Sequence, residues 1–99
     1  MRGGWFIGNF EPAAFKTKTC EVAYKVHKKG ELWSKHYHRK VIEINCLVSG
    51  KMRLNRTSLK AGDIFVIEPG EAAKPKFLEE CRLIVIKVPS RPKDKYEVV

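Results

Sequence analysis

The sequence predicts an all-β fold, a small sandwich or barrel with Greek-key or jelly-roll connections and no substantial helix. Glycine and proline punctuate the chain at short intervals, and the apolar residues between them alternate or run in β-branched stretches. No segment keeps a 3.6-residue period for long. About seven or eight short strands joined by tight turns suit such a roll. A chain of 99 residues has room for one core, so residues 1–99 are expected to form one domain.

Residues 1–16 read as an N-terminal arm or edge strand, with Trp5 to Phe10 interrupted at Glu11-Pro12 before Phe15. Cys20 to His27 is the next strand, placing Val22, Tyr24 and Val26 on one face, and Lys29-Gly30 ends it. His27, beside Lys28 and Lys29, reads as a surface residue. Residues 31–40 are polar and carry two histidines. Val41 to Val48 is a strong strand that closes at Ser49-Gly50, and Lys51 to Leu54 returns as its hairpin partner. After the turn at 55–58, Leu59 leads through Ala61-Gly62-Asp63 into Ile64 to Ile67, which reads as a buried strand stopped by Pro69-Gly70. Cys81 to Val88 is the longest β-branched run, and the charged tail, 90–99, is expected to pack only in part.

Hydrophobic residues make up 43% of the chain and charged ones 31%, the composition of a soluble globular domain. Twenty Lys and Arg against eleven Asp and Glu leave a net charge of +9, which biases the surface toward anionic partners. The basic residues are spread along the chain rather than gathered in an arm, so nucleic acid is a weak expectation. Trp5, Phe6 and Phe10 could stack on bases, but packing of the arm suits them better. Cys20, Cys46 and Cys81 are odd in number and far apart, which fits reduced core thiols and a cytoplasmic protein. Met1 to Phe10 is too short an apolar patch for a signal peptide, and no run approaches the ~18 residues of a membrane span.

The informative constellation is His36, His38 and Glu43. Two histidines one residue apart project from one face of an extended chain, and the carboxylate follows at the start of the next strand. Two imidazoles and one carboxylate can hold a divalent ion while leaving positions open for substrate. Asn45 shares the face of Glu43 and is expected to point at the same pocket, whereas Cys46 alternates away from it.

Gly30, His36, His38, Glu43 and Gly50 match G-x5-H-x-H-x4-E-x6-G at every defined position. This pattern resembles the first sequence motif of the cupin superfamily. Gly62-Asp63 followed by Glu68-Pro69-Gly70 resembles the second, G-x5-P-x-G-x2-H-x3-N, with two departures: Glu68 replaces the first proline, and Ala73 and Phe77 stand where the last histidine and the asparagine belong.

The resemblance implies a cupin-type double-stranded β-helix, a homodimer, and a pocket between the sheets into which His36, His38 and Glu43 point. It implies these three as metal ligands for Fe, Mn, Zn or Ni, one ligand short because of Ala73. The expected partner is a small anionic or carbohydrate-type molecule, a sugar or a carboxylate. Two alternatives stand beside the metal reading. One is a metal-free enzyme similar to the cupin sugar-nucleotide isomerases and epimerases, with His36 and His38 as catalytic proton carriers. The other is a non-catalytic ligand-binding module.

Overall fold

The computed structural model describes residues 2–98. The strands are β1 (Trp5–Gly8), β2 (Phe15–Lys16), β3 (Glu21–His27), β4 (His36–Tyr37), β5 (Ile42–Ser49), β6 (Lys51–Leu54), β7 (Thr57–Lys60), β8 (Ile64–Ile67), β9 (Pro75–Phe77), β10 (Cys81–Val88) and β11 (Tyr96–Glu97). A 3-10 turn at Arg2–Gly4 is the helical element among the described residues.

Six strands form the larger sheet in the order β2-β1-β3-β10-β5-β8. The smaller layer has two pieces, β7-β6-β9 and β11-β4. A bridge between His36 and Ala73 links them, with the two backbones exchanging hydrogen bonds of 3.0 and 2.7 Å. Met52 of β6 and Phe77 of β9 pack on Ala23, Leu47, Leu83 and Val85 of the larger sheet, and Cys81 completes the buried cluster. Trp5, Trp33, Leu59 and Phe65 close around it. Each core side chain of this size contributes about 1.5–3 kcal/mol by leaving water.

The turn between β5 and β6 requires glycine. Gly50 has φ 97°, and a Cβ there would lie 2.3 Å from the Glu80 carbonyl oxygen. The chain crosses there to the smaller layer: β6 pairs with β7 and β9 rather than returning along β5 as the expected hairpin partner, and so lays Met52 over the core.

Alternation on the larger sheet produces two unlike faces. Inward lie Glu21, Ala23, Lys25 and His27 of β3, Leu83, Val85 and Lys87 of β10, and Glu43, Asn45 and Leu47 of β5. Outward lie Val22, Tyr24 and Val26, then Ile84, Ile86 and Val88, then Ile42, Ile44, Cys46 and Val48. β8 departs from the buried strand expected from its composition. Ile64 and Val66 belong to the outward face and are 68% and 46% exposed, so only Ile67 is buried and Phe65 half-buried. Among the cysteines, Cys81 is buried while Cys20 and Cys46 are half-buried.

The tail is tied down at particular points. β11 pairs with β4, Ser90 and Asp94 are buried, and the Ser90 amide donates to the Lys18 carbonyl at 3.0 Å. No helix among the described residues is long and apolar enough to cross a membrane.

Candidate functional site

Register decides what the inward face carries at each level. Leu83 pairs with Leu47 and Val85 with Asn45, while at the next level Lys87 stands between Glu21 on β3 and Glu43 on β5. The sheet therefore offers an apolar floor at one end and a charged row at the other. Above it the two layers enclose a cavity of about 530 Å³.

Three ammonium groups face this space. Lys25 and Lys87 lie 5.3 and 5.0 Å from the Trp5 ring centroid, and Lys95, carried by the tail, lies 4.2 Å from that of Trp33. Burial, then repulsion from Lys87 and Lys95, holds the Lys25 ammonium below the ordinary lysine range. Burial and Lys87 do the same to Lys95. Met52, Phe65, Ile67 and Phe77 supply apolar wall, and the exposed Glu11, Pro12 and Pro92 reach the rim.

The predicted site residues separate into two groups. His36, Glu43 and Asn45 line the cavity. His36 donates Nδ1–H to the Ser34 carbonyl at 3.2 Å, and burial holds its imidazole below the ordinary histidine range. His38 stands behind Glu43. It is 1% exposed, with Nδ1 against the Asp94 backbone carbonyl and Nε2 3.2 Å from Glu43 Oε1. Asn45 Nδ2 donates to Glu43 Oε2 at 3.0 Å, and Lys87 Nζ lies 4.0 Å from Glu43 Oε1. Burial opposes the Glu43 charge, but the hydrogen bonds from His38 and Asn45, aided by Lys87, overcome it and hold the carboxyl at about 2.

No protein-family model matches the chain, and no curated relative matches it. Solved structures do. A protein with a double-stranded β-helix domain from Klebsiella pneumoniae subsp. pneumoniae MGH 78578 aligns with TM-score 0.75 at 20% identity, covering 83% of this chain and 72% of that one. An RmlC-like cupin from Shewanella frigidimarina NCIMB 400 aligns with TM-score 0.71 at 22% identity, over 77% of this chain and 71% of that one. The chain has the cupin fold. A vicilin from Solanum melongena, whose structure revealed different anionic ligands in structurally similar pockets, aligns with TM-score 0.71 at 16% identity, covering 81% of this chain and 26% of that one.

In this fold the histidine motif does not present a ready metal centre. Both ring nitrogens of His38 already face partners, Nδ1 the Asp94 backbone carbonyl and Nε2 the Glu43 carboxylate, so neither is turned to the cavity. Both oxygens of Glu43 are taken, one by His38 and Lys87 and the other by Asn45. Ala73, at the last-histidine position, contributes its backbone to the bridge with His36. Among the described residues no three His, Cys, Asp or Glu side chains are arranged to hold a metal ion. As folded, the residues do not fit one, and Lys87 supplies the positive charge beside the carboxylate.

Sequence reasoning missed most of the cavity's other polar groups. His27 is a correction: it is 8% exposed and lines the cavity, because it shares the inward parity of Ala23 and Lys25. Lys87 carried a legible signal, a cation at the parity of Leu83 and Val85 in an otherwise apolar strand. Lys95 and Trp33 had none, since the tail and the 28–35 loop reach the cavity only through tertiary contacts. Trp5 and Phe10, weighed above as base-stacking groups, line the cavity instead.

Proposed function

We propose that this cupin binds a small anionic molecule without a resident metal ion. Its carboxylate or phosphate is held by Lys25, Lys87 and Lys95, and its body rests against Trp5, Trp33 and the apolar floor. The observation that carries this reading is the convergence of three ammonium groups on one cavity whose nearest carboxylates are already occupied. Glu43 is bonded to His38 and Asn45, and Glu21 accepts the Ser90 hydroxyl at 2.9 Å. Burial first, and then repulsion from neighbouring lysines, lowers Lys25 and Lys95, and a bound anion offsets both. The anionic ligands of the vicilin support the same use of a pocket in this fold.

Thermal unfolding in the presence of phosphate, citrate and uridine 5′-monophosphate tests this. A ligand at 100 times its dissociation constant stabilises by about 2.7 kcal/mol. At least one of the three is expected to raise the melting temperature of the wild type, and Lys87→Ala with Lys95→Ala is expected to abolish that rise. No shift with any of them overturns the reading.

We further infer that the working unit is a homodimer built on the outward face of the larger sheet. Register aligns Tyr24, Ile84, Cys46 and Ile64 in one row and Val22, Ile86, Ile44 and Val66 in the next. Arg82 is the one charge on this face of β3, β10, β5 and β8, on a chain of net charge +9. A contiguous apolar patch of this kind marks an association surface. A second copy offers the same uncharged rows under two-fold symmetry.

A further inference from the structure

We propose that the outward face of the β7-β6-β9 sheet is a second binding surface, which takes the phosphodiester backbone of a single-stranded nucleic acid. Its basic residues lie apart in sequence, but strand register gathers them. Met52 pairs with Leu59 and with Phe77, and that row turns inward to the core. The alternate residues therefore turn out. On that side Arg53 stands between Lys76 of β9 and Ser58 of β7, and Lys51 stands beside Lys60. Lys74 has the parity of Lys76 and extends the set, and all six side chains are exposed. No carboxylate, aromatic or aliphatic side chain shares this face of the three strands.

The arrangement is costly to the sheet on its own. Lys51 lies directly opposite Lys60, and Arg53 directly opposite Lys76. Like charges in such cross-strand pairs are destabilising. Among the described residues Lys60 alone of these cations has a carboxylate partner, Asp63 at 3.4 Å. Lysines on edge strands keep a sheet from pairing with other chains, but Lys51 and Arg53 belong to the central strand, where no edge needs protecting. A polyanion laid across the face offsets the repulsion on all three strands at once.

The chemistry of the face selects the occupant. Lysine, arginine and a serine hydroxyl are groups that contact phosphate oxygens. Cations two apart on one strand are separated by about 6.8 Å, and those on neighbouring strands by about 4.8 Å. That grid suits a chain of charges better than one small anion. The three strands span only about 10 Å, which a flexible single strand can follow with successive phosphates. Without an aromatic group to stack on bases, contact runs through the backbone and is indifferent to sequence. Without an apolar group to enter a bilayer, the face lacks half of what holds a protein on a membrane. It points away from both the cavity and the apolar rows of the larger sheet, so ligand binding and the dimer leave it free.

Fluorescence anisotropy of a labelled twenty-nucleotide oligothymidylate, titrated with the full chain, tests the proposal. Binding is expected at low salt, with a log–log salt slope of about −0.7 for each phosphate contacted. Arg53→Ala with Lys76→Ala should reduce the magnitude of that slope by about 1.4 and weaken binding about tenfold or more, with the far-UV circular dichroism and the melting-temperature rise given by small anions unchanged. Lys16→Ala with Lys18→Ala removes as much charge at the β2 edge of the larger sheet and should leave the slope as it was. No binding at low salt, binding indifferent to salt, or an equal loss from the two double variants overturns the proposal. So does capture of the wild type by phosphatidylserine vesicles that the oligonucleotide fails to displace, which would make the occupant an anionic membrane.

Discussion

Asp94 and His38, 56 positions apart, are locked together from both ends of one residue: the Asp94 backbone carbonyl accepts the His38 Nδ1 proton, and the Asp94 carboxylate accepts the N–H groups that follow the histidine. Those N–H groups belong to Arg39, Lys40 and Val41, at 3.0, 2.8 and 3.0 Å. The tail thereby holds the segment that feeds β5, and through His38 it orients Glu43. Removing the carboxylate leaves three backbone donors to find water at a buried position. Asp94→Ala should cost about 3 kcal/mol, within the range for hydrogen bonds to a charged group, as read from urea unfolding. A loss below about 0.5 kcal/mol would show that water substitutes for it freely.

Acid should unfold the protein through the same cluster. Glu43 is held at about 2, and Asp94 is also lowered, its burial being outweighed by the three backbone donors. A carboxyl whose folded value lies below its unfolded one binds protons first in the unfolded chain, so stability rises with pH across that interval. The Glu43 contribution is fully present above its ordinary value of 4.5, declines below it, and is gone once the pH has fallen through about 2. Denaturant midpoints measured from pH 6 downward should follow that course, and Glu43→Gln should flatten it. An identical slope in the variant would refute the assignment.

Metal content distinguishes Lys87 from an ion as the charge beside Glu43. Tag-free protein should carry less than about a tenth of an equivalent of transition metal, and added Fe, Mn, Zn or Ni should leave its melting temperature unchanged. One tightly held equivalent, lost on His36→Ala, would reverse the conclusion and restore the three-ligand reading of the motif.

The outward apolar rows make a further measurable claim. Light scattering coupled to gel filtration should give twice the chain mass, and Ile64→Lys with Val66→Lys, the exposed β8 ends of those rows, should give the monomer mass with the far-UV circular dichroism retained. A monomeric wild type at tens of micromolar would remove the dimer.

Much of the fold could be read from local pattern. The glycines of the first motif mark turns whose backbone only glycine adopts without strain, as at Gly50, and the alternation of β5 correctly puts Glu43, Asn45 and Leu47 on one face. Period two tells which residues share a face, but it cannot say which face is inside. On β3 the apolar set, Val22, Tyr24 and Val26, lies outside, and the polar set, Glu21, Lys25 and His27, lies within. The usual inference from hydrophobicity inverts here because the interior is a cavity and the exterior an apolar sheet. The same inversion misplaced Ile64 and Val66.

By itself, then, the sequence determined an all-β roll of the cupin kind and placed Glu43 and Asn45 on one face of β5, because turns, alternation and motif spacing are local properties of the chain. Only the tertiary structure decided that His38 serves Glu43 and Asp94 rather than the cavity, that Lys25, Lys87 and Lys95 converge, and that His27 faces inward against Glu31. Those relationships depend on strand register and on where the tail and the 28–35 loop come to rest. Both are set by packing between residues far apart in sequence, to which no local pattern gives access.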